Sequence, residues 1–396
     1  MATTPTPAAA SNATQSFVRP GSPFEGRLLS LDLFRGITIA FMILVNDAGD
    51  GAHAYAQLEH AAWNGWTLTD LVFPSFLFIV GVAMVFAFEA RRRHGDSTSV
   101  ILGHVLRRSF LILLIGLAIT LYGHRWHIAT LRYYGVLQRI ASCYLVATLL
   151  TLRTTVRQQV AIIATCLIGY WLLMRFVPVP GLGMPVRDIP LLDPDRNIVA
   201  WLDRKLLFGH LYEKTRDPEG LLSTIPALAT TMIGFLTGTF IRSSRSRKRT
   251  AVMLVLAGVA GVAAGLAWNP WFPINKKLWT SSYVLFAAGA ALLCLALCYW
   301  LLDVKGWRGR WTMPFDVFGK NSILAYTVAE LIAIFMGQQH ITWGGRTTSL
   351  WSYVYLRGFA GHGTPANTSL LFSLTFVLVC WVPLYFCYRR KLFLKL

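Results

Sequence analysis

The chain has 396 residues, of which 55% are hydrophobic and only 14% charged, and this excludes an ordinary soluble domain, where about a quarter of the residues are charged. Its formal net charge of +19 does not indicate a nucleic-acid partner, because the basic residues fall in short clusters between apolar runs of about 20 residues. These runs lack the polar–apolar alternation of a transmembrane β-barrel. The sequence therefore predicts an all-α polytopic membrane protein, embedded in the lipid bilayer.

In chain order, residues 1–25 are rich in Ala, Thr, Pro and Ser and lack an apolar core, which predicts a disordered N-terminal tail and not a signal peptide. Residues 26–396 form one predicted transmembrane domain. Apolar windows predict about ten spans in it. They cover residues 31–47, 67–89, 104–122, 133–152, 157–178, 220–241, 250–268, 278–301, 314–337 and 368–388.

The basic clusters fall on one side of these spans. They include the runs 91–93, 242–249, 305–310 and 389–391. By the positive-inside rule this side is cytoplasmic, so both termini are predicted to be cytoplasmic. The opposite loops are then extracytoplasmic, and the largest of them, 179–219, is long enough to cap a site.

Several site classes are excluded by missing patterns. All six cysteines lie in apolar runs and none forms a CxxC pair, which predicts neither disulfides nor a metal site. Walker A and HExxH motifs are also missing, so the sequence does not indicate an ATP-driven pump or a zinc protease.

The segment 58–74 carries the strongest indication of chemistry, because it places polar groups where one apolar run hands over to the next. It contains His60, Trp63, Asn64 and Asp70, and Asn46 ends the preceding span close by. Ionisable groups at membrane depth are costly and usually functional. The apolar residues 54–63 predict a short helix that dips back toward the membrane.

Further polar residues approach from the outer side. Gln138 and Arg139 lie inside the fourth span, and pairing of Arg139 with a ligand or with a carboxylate such as Asp70 is favoured over snorkelling. Asn275 and Lys276 precede the eighth span, where a lysine either is an exception to the charge rule or binds acidic groups.

Other polar residues approach from the cytoplasmic side. Arg35 is one helical turn from Asp32, so it either forms a local ion pair or binds a phosphate. Lys320 is four residues from Asp316 and can pair with it, and Asn321 follows. A polar path entered from both faces fits transport, or a reaction between a cytoplasmic donor and an outer acceptor.

Several of these residues lie in motifs that resemble the heparan-α-glucosaminide N-acetyltransferase family, including its bacterial inner-membrane relatives. The matching segments, in order from the first to the ninth span, are SLDLFRG at 30–36, VN at 45–46, HAAWNG at 60–65, TDLVFP at 69–74, FIVG at 78–81, GVLQRI at 135–140, DPEGLLSTIP at 217–226, NKKLWT at 275–280 and GKNS at 319–322.

The resemblance implies transfer of an acetyl group from cytoplasmic acetyl-CoA to the free amine of a terminal glucosamine across a bacterial inner membrane. It also suggests a homodimer. His60 occupies the family's catalytic histidine position, and Asn46 and Asp70 are its expected companions. Imidazole suits a general base at neutral pH or a transient acetyl carrier. Asp70 would orient the ring, and Asn46 would donate to the oxyanion.

Cations on the cytoplasmic side are candidates for the phosphates of CoA, namely Arg35, Arg107, Arg108 and Lys320. Trp63 is a candidate for stacking on a sugar, although anchoring at the membrane interface is the more common role of such a residue. The remaining candidates for binding substrate or acetyl-CoA are Asn64, Gln138, Arg139, Asn275, Lys276 and Asn321.

Two alternatives remain open at this stage. A permease for amino sugars or oligosaccharides needs the same two-sided path but no thioester chemistry. An O-acyltransferase would modify hydroxyl groups of surface glycans. Assays of acetyl transfer with amine and hydroxyl acceptors distinguish the three functions.

Overall fold

The computed structural model describes residues 28–394, so the predicted tail 1–25 lies outside the described residues. Helices make up most of this range. They are α1 (Leu29–Asn46), α2 (Val72–Arg93), α3 (Thr98–Gly123), α4 (Val136–Thr151), α5 (Val156–Phe176), α6 (Ile198–Leu206), α7 (Thr224–Ser243), α8 (Arg247–Trp268), α9 (Ser281–Tyr299), α10 (Met313–Lys320), α11 (Ser322–Gln338), α12 (Leu350–Gly358) and α13 (Pro365–Arg389). An antiparallel hairpin pairs β1 (His340–Trp343) with β2 (Arg346–Ser349).

Eight helices in the described range are long and apolar enough to cross a membrane, which confirms the all-α polytopic class. They are α1, α2, α3, α5, α7, α8, α9 and α13. Two further predicted spans take a different form. The fourth is the apolar helix α4, of only 16 residues. The ninth is broken into α10 and α11, which meet at an angle of 77°.

The break in the ninth span lies at Asn321, whose backbone leaves helical geometry. Its side chain is bonded to the C-terminal segment: Nδ2 donates to the carbonyl of Leu392 at 3.0 Å, and Oδ1 accepts from the N–H of Leu394 at 3.1 Å. The side chain at the bend therefore satisfies backbone groups of the C-terminal segment and ties that segment to the bend.

Close helix packing in the core depends on glycine. A Cβ atom added at Gly81 of α2 would lie 1.9 Å from the carbonyl oxygen of Thr231 on α7. One added at Gly36 of α1 would lie 2.0 Å from that of Phe315 on α10. Small residues let backbones approach in this way in membrane helix pairs. These contacts hold α1 and α2, the helices that flank the His60 segment, against the rest of the bundle.

The predicted short helix over 54–63 is wrong. This segment contains only a single 3₁₀ turn, Ala56–Leu58, and most of its residues are exposed. The physical reason is that its polar contacts come from elsewhere in the chain. Thr67 Oγ1, for example, donates to the carbonyl of Glu59 at 2.6 Å, and Trp63 Nε1 donates to that of Leu192 at 2.7 Å. The second contact ties the segment to the large loop 179–219, which contains α6.

Candidate active site

His60 and Asp70 lie together at the start of α2. A 3₁₀ turn, Thr69–Leu71, places the buried Asp70 side chain just before the helix. Oδ1 of Asp70 is 2.8 Å from Nδ1 of His60, whose side chain is 44% exposed. An ionised carboxylate only accepts hydrogen bonds, so Nδ1 carries the proton in this pair. The lone pair of the neutral ring is then on Nε2.

The second oxygen of Asp70 is also held. Oδ2 accepts from the N–H groups of Ala61 at 3.0 Å and Thr67 at 3.1 Å, and from the Thr67 hydroxyl at 3.1 Å. The Tyr283 hydroxyl donates to the backbone carbonyl of Asp70 at 2.5 Å. Buried charges need such partners, and here they fix both the carboxylate and, through it, the imidazole.

Lys276 approaches the imidazole from the loop before α9. Its Nζ is 3.2 Å from Nδ1 and 3.1 Å from Nε2 of His60, and 3.9 Å from Oδ1 of Asp70. Burial lowers the pKa of this ammonium below its ordinary value, although the carboxylates of Glu219 and Asp70 act in the opposite direction. The predicted site residue Lys276 is therefore a donor directly beside the reactive ring.

These groups line an outer cavity of about 740 Å³. His60, Asp70, Asn46, Gln138 and Lys276 all contribute to its wall, so five of the predicted site residues meet there. Asn46 is exposed at the end of α1, and within residues 28–394 its side chain makes no hydrogen bond. Its amide is available to a ligand.

A second, inner cavity of about 270 Å³ adjoins the outer one. Its wall includes the cations Arg35, Arg108 and Lys320. The two cavities share wall residues on α1, α2, α4 and α11. They are Met42, Phe76, Val136, Leu137 and Tyr326. Apolar side chains and one tyrosine therefore separate a polar outer site from a cationic inner one.

The inner cavity leads on to a third, of about 340 Å³, with which it shares Ala87, Arg108 and Tyr144. Arg91, His104 and Arg107 also line this third cavity. The cavities thus follow one another from the basic ends of α2 and α3 to His60. Arg107 and Arg108, predicted as phosphate ligands, both lie along this route.

The predicted local ion pairs on the basic side are confirmed. Arg35 Nη1 lies 3.2 Å from Asp32 Oδ1 and donates to the carbonyl of Gly319 at 3.3 Å. Lys320 Nζ lies 3.5 Å from Asp316 Oδ2. Both cations also line the inner cavity, so the ion pairs and a phosphate-binding role are compatible. Asn321, in contrast, is engaged by the C-terminal segment.

The predicted pairing of Arg139 with a ligand or Asp70 is wrong as regards Asp70. Its fully buried guanidinium donates from Nη2 to the carbonyl of Gly220 at 2.9 Å and to the Ser223 hydroxyl at 2.5 Å. It also lies over the Trp279 ring, with 5.1 Å between Cζ and the ring centroid. Arg139 therefore holds the start of α7 against α4 instead of reaching the imidazole.

Three other predicted binding residues hold the site together. Asn275 Nδ2 donates to Oδ1 of Asn64 at 3.1 Å, and Asn275 Oδ1 accepts from the N–H of Leu278 at 2.9 Å. Trp63 is bonded to the loop 179–219 and lies beneath the Arg216 guanidinium, 5.0 Å from its ring centroid. These contacts position the two loops that carry His60 and Lys276.

The sequence interpretation missed one charge network. Asp217 and Glu219, the acidic residues of the motif at 217–226, both bind Arg132. Arg132 donates to Asp217 at 2.8 Å from Nε and 2.5 Å from Nη2, and its Nη2 also pairs with Glu219. Burial alone would raise the pKa of Glu219, but Arg132, Arg139 and Lys276 together outweigh it and hold that pKa below its ordinary value. The acidic cluster upstream of the seventh helix was the available signal.

Comparisons with known proteins agree with the motifs. A family model described as "Heparan-alpha-glucosaminide N-acetyltransferase, catalytic" matches residues 27–262. The human protein named heparan-alpha-glucosaminide N-acetyltransferase is 30% identical over 428 aligned positions, covering 95% of this chain and 61% of that protein. The mouse protein of the same name is 31% identical over 360 positions, covering 77% of this chain and 54% of its own. The chain thus spans well under two thirds of each relative's length.

Proposed function

Because the chain belongs to the heparan-alpha-glucosaminide N-acetyltransferase family, we propose that it transfers an acetyl group from acetyl-CoA on the cytoplasmic side to the amine of a terminal glucosamine, or a related amino sugar, on the extracytoplasmic side. The observation that carries the proposal is the His60–Asp70 pair, which lines a cavity that shares wall residues with a cation-lined one. A base on one side and a phosphate-binding surface on the other suit a reaction between substrates from opposite faces.

Acetyl-CoA would enter from the basic side. Its phosphates are anionic, and guanidinium and ammonium groups are their usual partners. Arg107 and Arg108 line the third cavity, while Arg35 and Lys320 line the inner one. The uncharged arm of the cofactor suits the apolar wall between the inner and outer cavities. In this arrangement the thioester reaches the outer cavity while the nucleotide stays on the cytoplasmic side.

His60 would act as the base through Nε2. The acceptor arrives as an ammonium, which cannot attack a thioester until it loses a proton. Nε2 takes that proton, the amine nitrogen bonds to the thioester carbon, and the C–S bond then breaks as the thiolate of CoA leaves. The second proton that the nitrogen loses on becoming an amide converts this thiolate into the thiol. Asp70 stabilises the imidazolium that forms. Asn46 and Lys276 are the donors available to the oxyanion.

A two-step route uses the same atom. In that route Nε2 attacks the thioester, CoA leaves, and the amine then displaces the acetyl group from the ring. Protein that has been exposed to labelled acetyl-CoA without acceptor and then rapidly denatured at neutral pH distinguishes the routes, because an acetyl-imidazole hydrolyses faster in acid. Label that is retained on wild type and absent from His60→Ala supports the acetyl-histidine intermediate, and unlabelled protein supports direct transfer.

Purified protein tests the proposed activity directly. Radiolabelled acetyl-CoA and glucosamine should give labelled N-acetylglucosamine with wild type and none with His60→Ala. His53→Ala is the matched control, because His53 also pairs with an aspartate, Asp50, at 2.8 Å, but this pair lies outside the cavity. Retained activity in His60→Ala would remove His60 from the mechanism. A wild type that binds glucosamine but transfers nothing would favour the permease.

Sidedness follows from the charge pattern, and we propose a bacterial inner membrane with both termini in the cytoplasm. A membrane-impermeant thiol reagent applied from outside should label Glu59→Cys and not Arg245→Cys. The reverse pattern would overturn this orientation. The homodimer suggested by the family stays a prediction, and the mass of the purified protein in detergent checks it.

A further inference from the structure

One carboxylate in the outer cavity takes no part in the proposed acetyl-transfer steps. Four carboxylates line this cavity: Asp70, Glu213, Glu219 and Glu330. Asp70 is bonded to His60 and its loop, Glu219 pairs with Arg132, and Glu213 lies 3.0 Å from Lys277 Nζ. Within residues 28–394, Glu330 alone of the four has no cation at ion-pair distance, and its side-chain hydrogen-bond partner is the neutral hydroxyl of Tyr326.

Glu330 is directed into the cavity by its position on α11. Tyr326, Glu330 and Ile334 are spaced four residues apart, and all three line the outer cavity. Residues with this spacing share one face of a helix. The side chain therefore belongs to the cavity wall and does not face lipid. The titratable neighbour that interacts with it is Asp47, a second acidic group, which supplies no positive charge.

A carboxylate at membrane depth without a cationic partner is costly, and such residues usually mark a ligand site. The outer cavity is lined by three basic side chains, Arg132, Lys276 and Lys277, against the four acidic ones. A positively charged ligand would therefore complete the site. In the proposed arrangement acetyl-CoA brings only its uncharged thioester arm to this cavity, whereas the amino sugar brings an ammonium group.

We infer that Glu330 is the residue that selects the acceptor, by binding the ammonium group of the incoming amino sugar. This assignment rests on the proposed function for the identity of the acceptor. The ion pair forms in the encounter complex, before the amine loses its proton to His60. Acetylation converts the ammonium into a neutral amide, so the product loses this contact and is released. The same carboxylate thus favours entry of substrate and exit of product.

Binding measurements with neutral and charged sugars test the assignment. Methyl α-glucosaminide and methyl N-acetyl-α-glucosaminide are the probes, measured by calorimetry on the detergent-solubilised full chain. Wild type should bind the amine more tightly than the acetamide. Glu330→Gln should weaken binding of the amine by about tenfold or more, because a charged hydrogen bond is lost, and should leave the acetamide and acetyl-CoA unchanged. Glu330→Asp keeps the negative charge on a shorter side chain, so its affinity for the amine should lie between those of wild type and Glu330→Gln.

Glu59→Gln is the control for a general loss of negative charge, since Glu59 is exposed in the same outer region but does not line the cavity. It should bind both sugars as wild type does. Equal weakening of both sugars in Glu330→Gln, or unchanged binding of the amine, would overturn the assignment. If Glu330→Gln does not fold, Glu330→Asp replaces it in the test. Glu330→Asp that selects the amine as strongly as wild type would overturn the assignment of Glu330.

The test separates this assignment from the proposed function. Wild type that transfers acetyl groups while Glu330→Gln keeps full selectivity for the amine would leave the enzyme standing and remove Glu330 from recognition. Wild type that transfers nothing, yet loses amine selectivity in Glu330→Gln, would leave an ammonium site in a protein that is not an acetyltransferase.

Discussion

Nδ1 of His60 and Oδ1 of Asp70 are 2.8 Å apart, and the other oxygen of Asp70 is bonded to Ala61 and Thr67. One buried carboxylate therefore fixes both the loop that carries the histidine and the ring itself. The fold therefore fixes the position of Nε2 of His60 through Asp70. Substitution of Asp70 should disturb that position.

Asp70→Asn should lower kcat by about 10²- to 10⁴-fold, because an amide can donate to Nδ1 and so favour the wrong tautomer of His60. The side chain keeps its size, so the protein should stay monodisperse in detergent. Steady-state kinetics with glucosamine measure the effect. Asp50→Asn, which changes the exposed pair with His53, should stay near wild type. Loss of activity equal in both variants would contradict a specific role for Asp70.

Lys276→Met should lower kcat by about 10²-fold or more with a smaller change in KM, if the ammonium beside His60 stabilises the oxyanion. Lys276→Arg should recover part of this loss, because it restores a donor. Lys277 pairs with Glu213 at 3.0 Å, and Lys277→Met should have a much smaller effect on kcat. An increase in KM alone for Lys276→Met would instead place this residue in ground-state binding.

Asp203 of α6 should make stability depend on pH. Burial raises the pKa of its carboxyl from 3.8 to about 6. The folded protein therefore holds a proton that the unfolded chain releases at lower pH, so stability falls as pH rises from about 4 to 6, by up to about 3 kcal/mol. Asp203→Asn lacks this ionisation and keeps the oxygen that accepts from the N–H of Leu221 at 3.2 Å.

The melting temperature of Asp203→Asn relative to wild type should therefore increase between pH 4 and pH 7 and then level off. Thermal denaturation of both proteins in the same buffers measures the difference in melting temperature. The other titrating groups are the same in both proteins, so their effects cancel in this difference. A difference that does not vary over this range would contradict the pKa assigned to Asp203.

Gly81→Ala should destabilise the protein by about 1–3 kcal/mol, since the new methyl group would collide with the backbone of α7 at Thr231. Gly169→Ala on α5 is the matched control, because no described atom lies within 4 Å of its added Cβ. It should be neutral or slightly stabilising, by up to about 1 kcal/mol, through higher helix propensity. Melting temperatures in detergent compare the two. A tolerated Gly81→Ala would contradict the close α2–α7 contact.

The sequence predicted the helices and the central pair well, because both leave local signals. Apolar runs place the spans within a few residues, and the motif around His60 puts its carboxylate only ten positions away. The break at Asn321 left no such signal. At the break the Asn321 side chain contacts Leu392 and Leu394, about 70 residues later, and a hydropathy pattern does not record such a contact.

Long-range contacts explain the other misses. Arg139 was expected to reach a ligand or Asp70 because it lies deep in a span, but its partners are Gly220 and Ser223, about 80 positions away. Arg132 binds Asp217 across a similar separation. Glu330 sits in an apolar helix without a motif, and only its position on the wall of the outer cavity indicates a function.

The most direct test of transmembrane acetyl transfer through His60 uses oriented proteoliposomes. Labelled acetyl-CoA is supplied at the cytoplasmic face, and an impermeant amino-sugar oligosaccharide at the other. Wild type should acetylate the oligosaccharide across the intact membrane, and His60→Ala should not. Product from His60→Ala, or product only when donor and acceptor share one face, would contradict the account.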